Sequence, residues 1–407
     1  MRYKRFVTGV VVATSVSAGL FAGGNWLVDP YQIWGSSEYT GWSLDKPAVE
    51  FHQRLSEIQR ALQSKPEAVV IGTSRADIGL DPKHPAFYGL QSFNLATQAQ
   101  PPRESRLILE KLPGLKRVVW ATDFFTYGCQ HLGTIHDFSD DLFSERTRWL
   151  SLESITTVRD SILTVLGNSS PYAPWNRWRD DGFRLWTDDD GFVAVYGYRR
   201  RSLVSEKEYL EKLYGGIKAI HCSASDRSNP LKEYRQALRV AHLKHIDLRL
   251  VIGPSHARQW ETLAASGLWA SWETWKRLLV KINVEEAANV GLKPFPLWDF
   301  SGYNSITMEA IPSLTDKESH MHWHWDSSHY KKETGDLVLD RIFGHQQLGR
   351  SVPRDFGIML FSVNIESHLK AIRDARVEYR KMHPEDVGEI EQMAGKLRAR
   401  TLASHTD

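Results

Sequence analysis

A serine near one end of this chain and a carboxylate–imidazole pair near the other are the residues whose types and spacing suggest chemistry. Gly72-Thr73-Ser74-Arg75 follows the apolar run Ala68-Val69-Val70-Ile71, and Asp326-Ser327-Ser328-His329 comes late in the sequence. A serine hydroxyl is a weak nucleophile until a neighbouring base takes its proton, and an imidazole does so better when a carboxylate orients it. Asp326 stands three positions before His329, so one turn can present both to a serine arriving from elsewhere in the fold. Ser74, His329 and Asp326 are therefore the candidate nucleophile, base and orienting acid. Singly, each signal has an ordinary reading, Gly-x-Ser as a turn and Asp-x-x-His as a surface loop or helix cap. Their order, and the placing of Ser74 just past an expected strand, give the pair its weight, because open α/β sheets do their chemistry at strand carboxyl ends. The Gly-x-Ser-x-Gly elbow of lipases is excluded, since Ala76 stands where the second glycine belongs.

Elements able to position these residues follow from hydrophobic pattern. Strands are expected at Ala68–Ile71, Ser92–Leu95, Arg117–Thr122, Asp247–Ile252 and Phe295–Phe300. Helices are expected at Ala48–Gln63, Pro102–Leu112, Leu231–His245, Trp269–Ala288 and Glu333–Phe343. Strands alternating with helices imply an α/β fold, with a five-stranded parallel sheet between two helical layers in a doubly wound, flavodoxin-like arrangement. The segment 126–230 is too long for a connection and reads as an insertion. It should hold a helix at Thr147–Leu166 and a hairpin at Phe183–Tyr198 turning at Asp190-Gly191. Its Trp175, Arg177, Trp178, Arg179 and Trp186 mix aromatic and cationic groups, as a lid, a substrate wall or simply a packed flank would.

On the residues around Ser74 and His329, the chain resembles the SGNH (GDSL-type) hydrolase superfamily, whose nucleophile follows the first strand and whose late Asp-x-x-His completes the triad. The resemblance covers roughly residues 65–125 and 245–345. It implies Ser74 as nucleophile, His329 as general base and Asp326 as its partner. Two motifs depart from the family pattern: Gly-Asp-Ser is here Gly-Thr-Ser followed by Arg75, and Gly-x-Asn-Asp is here Trp120-Ala121-Thr122-Asp123. Asn94, in Ser92-Phe93-Asn94-Leu95, is the substitute oxyanion candidate. The variant looks closer to the branch that includes the alginate O-acetylation and teichoic-acid D-alanylation proteins. That branch implies a membrane-tethered esterase or O-acyltransferase acting on a cell-envelope carbohydrate or lipid-linked polymer, with a membrane-bound acyltransferase as a further partner. A triad mechanism needs no cofactor, and none is expected.

Other residues on the expected active edge have two readings each. Arg75 could bind an anionic group near the acyl carbon or pair with Asp77 or Asp123; Asp123 itself occupies the altered third motif. His256, in Gly253-Pro254-Ser255-His256, could contact substrate or cap a helix. His320, His322 and His324 alternate, so an extended strand would point all three to one side as zinc ligands, a competing metal-hydrolase reading; otherwise they line the site's mouth. Cys129 and Cys222 could pair across the insertion or remain buried thiols, and no Cys-x-x-Cys supports a thiolate metal site.

The chain's start points to a membrane. Met1-Arg2-Tyr3-Lys4-Arg5 is basic and Phe6 to Gly24 carries no charge, enough for a bilayer helix. Basic flanks stay cytoplasmic, so the rest should face the periplasm or exterior as a single-pass inner-membrane protein. Ser17-Ala18-Gly19 keeps a cleaved signal peptide open, while the lack of a clean Ala-x-Ala favours a retained anchor. The expected divisions are an anchor at 1–24, a juxtamembrane segment at 25–64, an α/β domain at 65–345 and a helical extension with a polar, frayed tail at 346–407. Ile365, Leu369, Ile372 and Tyr379 give that extension one apolar stripe. A net charge of +2 over 407 residues argues against a nucleic-acid partner held by bulk electrostatics.

Overall fold

The computed structural model describes residues 2–129, 138–168, 177–186, 191–215, 217 and 229–403. They form two units, one from Met1–Ser64 and Ile135–Trp186, the other from Lys65–Thr134 and Thr187–Asp407. The expected insertion at 126–230 is thus divided between them.

The second unit is built on an α/β sheet. Its strands are β1 (Ala68–Gly72), β2 (Ser92–Asn94), β3 (Arg117–Thr122), β4 (Asp247–Ile252), β5 (Leu297–Asp299) and β6 (Ile358–Met359), in the order β2-β1-β3-β4-β5-β6. The first five are parallel, and β6 pairs antiparallel with β5 through Trp298↔Met359 and Asp299↔Ile358. The sheet is therefore mixed and six-stranded, which corrects the five-stranded, all-parallel expectation. A two-residue strand has no periodicity to betray it. What admits it is Gly357, with φ of 88° and its α-carbon against the Phe300 ring, where any side chain would collide.

All five residues of β1 are buried, as a parallel strand covered on both faces requires. Helix Pro102–Lys111 packs on Pro230–Leu243, which packs on Trp269–Asn289, and Lys332–Phe343 packs on the short helix Ser74–Gly79. Strand register decides where chemistry can occur. Gly72 lies level with Ala121, and Thr122 with Ile252. The residues after β1, β3 and β4 therefore emerge side by side on one rim.

The carboxy-terminal extension differs from its expected form. Ile365, Leu369, Ile372 and Tyr379 are buried along helix Ile365–Met382 as their spacing implies. The tail beyond His383 is a second helix, Pro384–Ala403, that buries Val387, Ile390 and Ala394. Its charges are spent on the body: Arg258 meets Asp386 at 2.7 Å and Glu389 at 3.0 Å, while its other face holds Glu206 at 2.7 Å. Burial pushes the Glu206 carboxyl up despite Arg258.

The first unit begins with helix Arg2–Val28, whose Tyr3–Val28 stretch is long and apolar enough to cross a membrane, with a mean hydropathy of 1.8. The expected helix Ala48–Gln63 is a 3₁₀ turn at Pro47–Phe51 followed by Gln53–Ser64. Thr147–Leu166 is two helices, Glu145–Leu152 and Ile155–Asn168. The break falls at Ser154, whose carbonyl accepts from Val158 N–H and whose residue type favours a helix start. The hairpin is also displaced. Arg177–Trp178 pairs with Arg184–Leu185, and its turn closes from Arg179 N–H to Phe183 O at 2.9 Å. The turn falls at Asp181-Gly182. Gly191–Glu208, which belongs to the second unit, is helical with a kink at Gly197, where φ is 78°. Within the hairpin Arg184 lies over Trp178 at 4.9 Å and pairs with Glu50 at 2.7 Å. Trp175, Asp190 and Cys222 lie outside the described residues; Cys129 is disulfide-bonded.

One contact fixes how the helix starting at Ser74 meets the helix following His329. A Cβ at Gly335 would lie 1.6 Å from Gly79 O, and one at Gly79 would lie 2.1 Å from the Tyr330 ring. Gly335→Ala should therefore destabilise the chain in urea by about 1–3 kcal/mol through overpacking. Gly388→Ala, on a helix with nothing within 4 Å of the added carbon, should instead gain about 0.5–1 kcal/mol. Equal tolerance of both substitutions would show that the close approach does not exist.

Candidate active site

Thr73 leaves β1 and caps helix Ser74–Gly79, its Oγ1 accepting from Arg75 N–H at 3.4 Å. This places Ser74 at the first helical position, half-buried on the rim. Asp326 to His329 form a tight loop between the isolated bridge residues His324 and Tyr330. The loop is bound to the residues after β4. His256 N–H donates to Ser327 O at 3.1 Å and Ser255 Oγ–H to Ser328 O at 2.8 Å. Backbone pairing thus delivers His329 to the edge that carries Ser74.

The three residues meet in one line. Ser74 Oγ lies 3.0 Å from His329 Nε2, and His329 Nδ1 lies 3.0 Å from Asp326 Oδ2. Asp326 Oδ1 accepts from the N–H groups of Ser328 at 2.7 Å and His329 at 2.8 Å. Oδ1 therefore fixes the loop, and both oxygens address the ring, Oδ1 lying 3.1 Å from His329 Nδ1. An ionised carboxylate only accepts, so Nδ1 must carry the proton and Nε2 presents its lone pair to the serine hydroxyl. Burial alone would raise the Asp326 carboxyl. The His329 ring, with help from Arg201 Nε at 3.3 Å, outweighs that and holds it well below the usual carboxylate range. The arrangement can take a proton from Ser74 and keep the resulting imidazolium paired.

The remaining sequence-selected residues are not drawn into that line. Asn94 is buried and fully engaged: its Nδ2 donates to Ala76 O at 2.9 Å and Leu80 O at 3.0 Å, and its Oδ1 accepts from Ala96 N–H at 2.9 Å. It braces the first helix and has no donor left for an oxyanion. Of the four N–H groups in that helix's first turn, those of Ala76 and Asp77 bond to Thr73 O and that of Arg75 to Thr73 Oγ1. The Ser74 N–H is the donor that remains for developing negative charge. His256 caps helix Ala257–Ala265, accepting from Arg258 N–H at 3.2 Å while its Nε2–H donates to Glu309 O at 2.6 Å. Desolvation pushes its pKa well down, in keeping with a neutral ring.

Arg75 turns away from the serine into the protein. It pairs with Asp123 Oδ1, donates to Ser328 Oγ at 3.1 Å and to Tyr209 OH at 3.0 Å, and lies 5.4 Å from the Phe125 ring centroid. The second Asp123 oxygen accepts from Thr73 Oγ1–H. Burial acts to lower the guanidinium pKa, but Asp123 outweighs it and the cation is retained. Of the two readings for Arg75, the ion pair is the one formed, with Asp123 as its partner.

The histidine cluster does not converge. His324 is buried, with Nδ1 3.1 Å from Glu309 Oε2 and Nε2 3.0 Å from Pro254 O, while His322 is exposed and packs on Trp323. His320 lies 6.1 Å from the Tyr198 ring. Residues 320–325 do not form the extended strand that would align the three rings. Among the described residues no group of three or more His, Cys, Asp or Glu is placed to hold a metal ion.

Sequence reasoning missed Arg201 and Tyr209, both from the second half of the insertion. Tyr209 OH lies 2.8 Å from Ser328 Oγ, between the two ends of the triad loop. Arg201 sits in Arg199-Arg200-Arg201, which reads as a solvated surface, so local sequence carried no signal for it. No protein-family model, no curated protein and no solved structure matches this chain.

Replacing Arg75 or Asp123 alone by alanine should cost about 3–5 kcal/mol of stability in urea, because each leaves the other charge buried without a partner. The double variant should lose clearly less than the sum. Strict additivity would mean that the two residues stabilise the fold independently.

Proposed function

We propose that this chain is a membrane-anchored, extracytoplasmic serine esterase or O-acyltransferase of the SGNH type, acting on a cell-envelope carbohydrate or polymer. The observation that carries this reading is the Ser74–His329–Asp326 line, with 3.0 Å at both junctions. Ser74 Oγ attacks the acyl carbonyl carbon as its proton passes to His329 Nε2, and Asp326 pairs with the imidazolium. The Ser74 N–H supports the oxyanion. His329 then returns the proton to the departing oxygen, leaving an acyl-serine. Water or a sugar hydroxyl, deprotonated by the same ring, attacks this ester and regenerates Ser74. A further support is the run of five parallel strands in the order β2-β1-β3-β4-β5, the doubly wound order with its site at strand carboxyl ends.

A second reading, a non-catalytic protein of the same fold that binds polysaccharide or a membrane acyltransferase, is favoured by one observation. Asn94, the residue available to replace the missing oxyanion asparagine, is consumed by backbone carbonyls. Fluorophosphonate labelling and turnover of a chromogenic acetyl ester separate the two. Under the enzymatic reading the label goes to Ser74, and Ser74→Ala or His329→Ala lowers turnover by roughly 10⁶-fold, with losses that do not add. Asp326→Asn costs roughly 10⁴-fold, since it disturbs the ring's tautomer without removing the base. His320→Ala and His322→Ala leave substantial activity. Unlabelled, inactive protein that retains glycan binding would establish the accessory reading. Turnover that survives Ser74→Ala but is abolished by a chelator would reassign it to a metal.

The anchor reading rests on the length and apolarity of Tyr3–Val28. With Arg2, Lys4 and Arg5 on the cytoplasmic side, a reporter active only outside the cytoplasm should give signal when fused after Asp407. Signal from a cytoplasm-only reporter at that position would reverse the topology.

A further inference from the structure

In the unit formed by Met1–Ser64 and Ile135–Trp186, helix Ile155–Asn168 is amphipathic in the wrong sense for water. Thr157, Asp160, Ser161 and Thr164 are its buried residues. They recur at the spacing of one helical face, where a water-soluble domain places apolar side chains. Its apolar side chains face outward instead: Ile155 is 87% exposed, Ile162 55%, Leu163 52% and Leu166 61%. Burying one such side chain is worth about 1.5–3 kcal/mol, so an aqueous fold has no reason to invert the helix.

The buried stripe is held by hydrogen bonds. Asp160 Oδ2 accepts from Tyr31 OH at 2.7 Å and lies 3.1 Å from His52 Nε2. Asn168 Oδ1 accepts from Asp45 N–H at 2.8 Å, and its Nδ2 donates to Asp45 O at 2.8 Å. Ser161 Oγ–H donates to Asn25 Oδ1 at 2.9 Å, and Asn25 Nδ2 donates to Leu152 O at 2.8 Å. Asn25 stands in the last turn of helix Arg2–Val28. The junction of helices Glu145–Leu152 and Ile155–Asn168 is thereby fixed at the level where the apolar helix ends.

We propose that this inverted helix lies in the lipid interface of the bilayer that Arg2–Val28 enters, so that a lipid surface covers its apolar stripe. The inference rests on the reading of Arg2–Val28 as a membrane span. Continuity with that span supplies the occupant, and the neighbouring residue types agree with it. Trp26 and Trp149 are about half exposed, and Trp149 meets Trp34 at 4.9 Å, the amphipathic rings that gather at membrane–water boundaries. Arg148 lies 4.7 Å over Trp34, and Arg159, though paired with Asp160 at 2.9 Å, keeps its side chain 67% exposed, so both are cations within reach of lipid phosphates. The face thus combines an apolar stripe with an aromatic and basic rim, as an interfacial helix does.

The test uses the full chain in nanodiscs of phosphatidylcholine and phosphatidylglycerol, with single spin labels at Ile155→Cys, Ile162→Cys and Leu166→Cys. Val11→Cys reports the apolar helix and Lys370→Cys, an exposed position, reports water. Collision with oxygen, which concentrates in lipid, is compared with collision with a water-soluble nickel chelate. The ratio of oxygen to nickel collision at the three helix positions should exceed that at Lys370 severalfold and approach that at Val11. A lipid-like value at Val11 with water-like values at 155, 162 and 166 overturns this inference alone. A water-like value at Val11 overturns the membrane reading and the inference with it. Protection from both reagents at the three positions, with Val11 in lipid, assigns the face to a second copy of the chain and overturns the lipid assignment.

Discussion

A guanidinium taken out of water costs several kcal/mol unless a carboxylate and enough hydrogen-bond acceptors meet it, and the rim of the α/β unit is organised around meeting that demand for Arg75. Arg75 follows Ser74 directly, so whatever holds its side chain also fixes the backbone that presents the serine. Its partners come from three other places: Asp123 after β3, Tyr209 after the kinked helix Gly191–Glu208, and Ser328 inside the triad loop. Ser328 lies between Asp326 and His329, so the same cation touches both halves of the candidate site. Separating Ser74 from His329 would break the Arg75–Ser328 hydrogen bond and leave a buried guanidinium donor unsatisfied. The 3.0 Å contact between them is in this sense braced by the cation beneath it.

A second tier of charge links this rim to the end of the chain. Helix Gly191–Glu208 sends Arg201 to Asp326 and Arg199 to Asp386, the latter at 2.8 Å. Glu206 on the same helix shares Arg258 with Asp386 and Glu389 of the last helix. Arg258 and Glu206 are both fully buried, so releasing the arginine would leave the Glu206 carboxylate without its cation. The carboxy-terminal extension is thereby part of the framework around the site, although it contributes no residue to the Ser74–His329–Asp326 line.

The two units follow opposite burial rules. In the α/β unit β1 is wholly apolar and wholly buried, and the buried cations Arg75 and Arg258 each meet carboxylates. In the other unit helix Ile155–Asn168 turns its polar stripe inward and its apolar stripe outward. Water as sole solvent accounts for the α/β unit alone. The lipid interface proposed for the other unit would account for its inversion, because there the outward side chains are the ones removed from water.

Residue pattern by itself determined the elements whose signal is local and repeated. The apolar run before Ser74, the strands at Arg117–Thr122 and Asp247–Ile252, the helices at Pro102–Lys111, Pro230–Leu243 and Trp269–Asn289 and the uncharged run Phe6 to Gly24 were legible, since burial on a parallel sheet and a continuous apolar helix both leave an unbroken apolar record. Ser74, Asp326 and His329 were legible as types and order. Tertiary structure alone decided their distances, because these come from strand register and from loop-to-loop hydrogen bonds between residues far apart in sequence. It decided between the two readings of Arg75, and it consumed Asn94 and His256 in backbone contacts that no motif records. It also supplied Arg201 from an arginine run that looked like solvated surface, added β6 where two residues leave no period, and folded the polar tail as a docked helix. A charge reads the same in a sequence whether water or a distant carboxylate will meet it, and only the packed chain brings that carboxylate near.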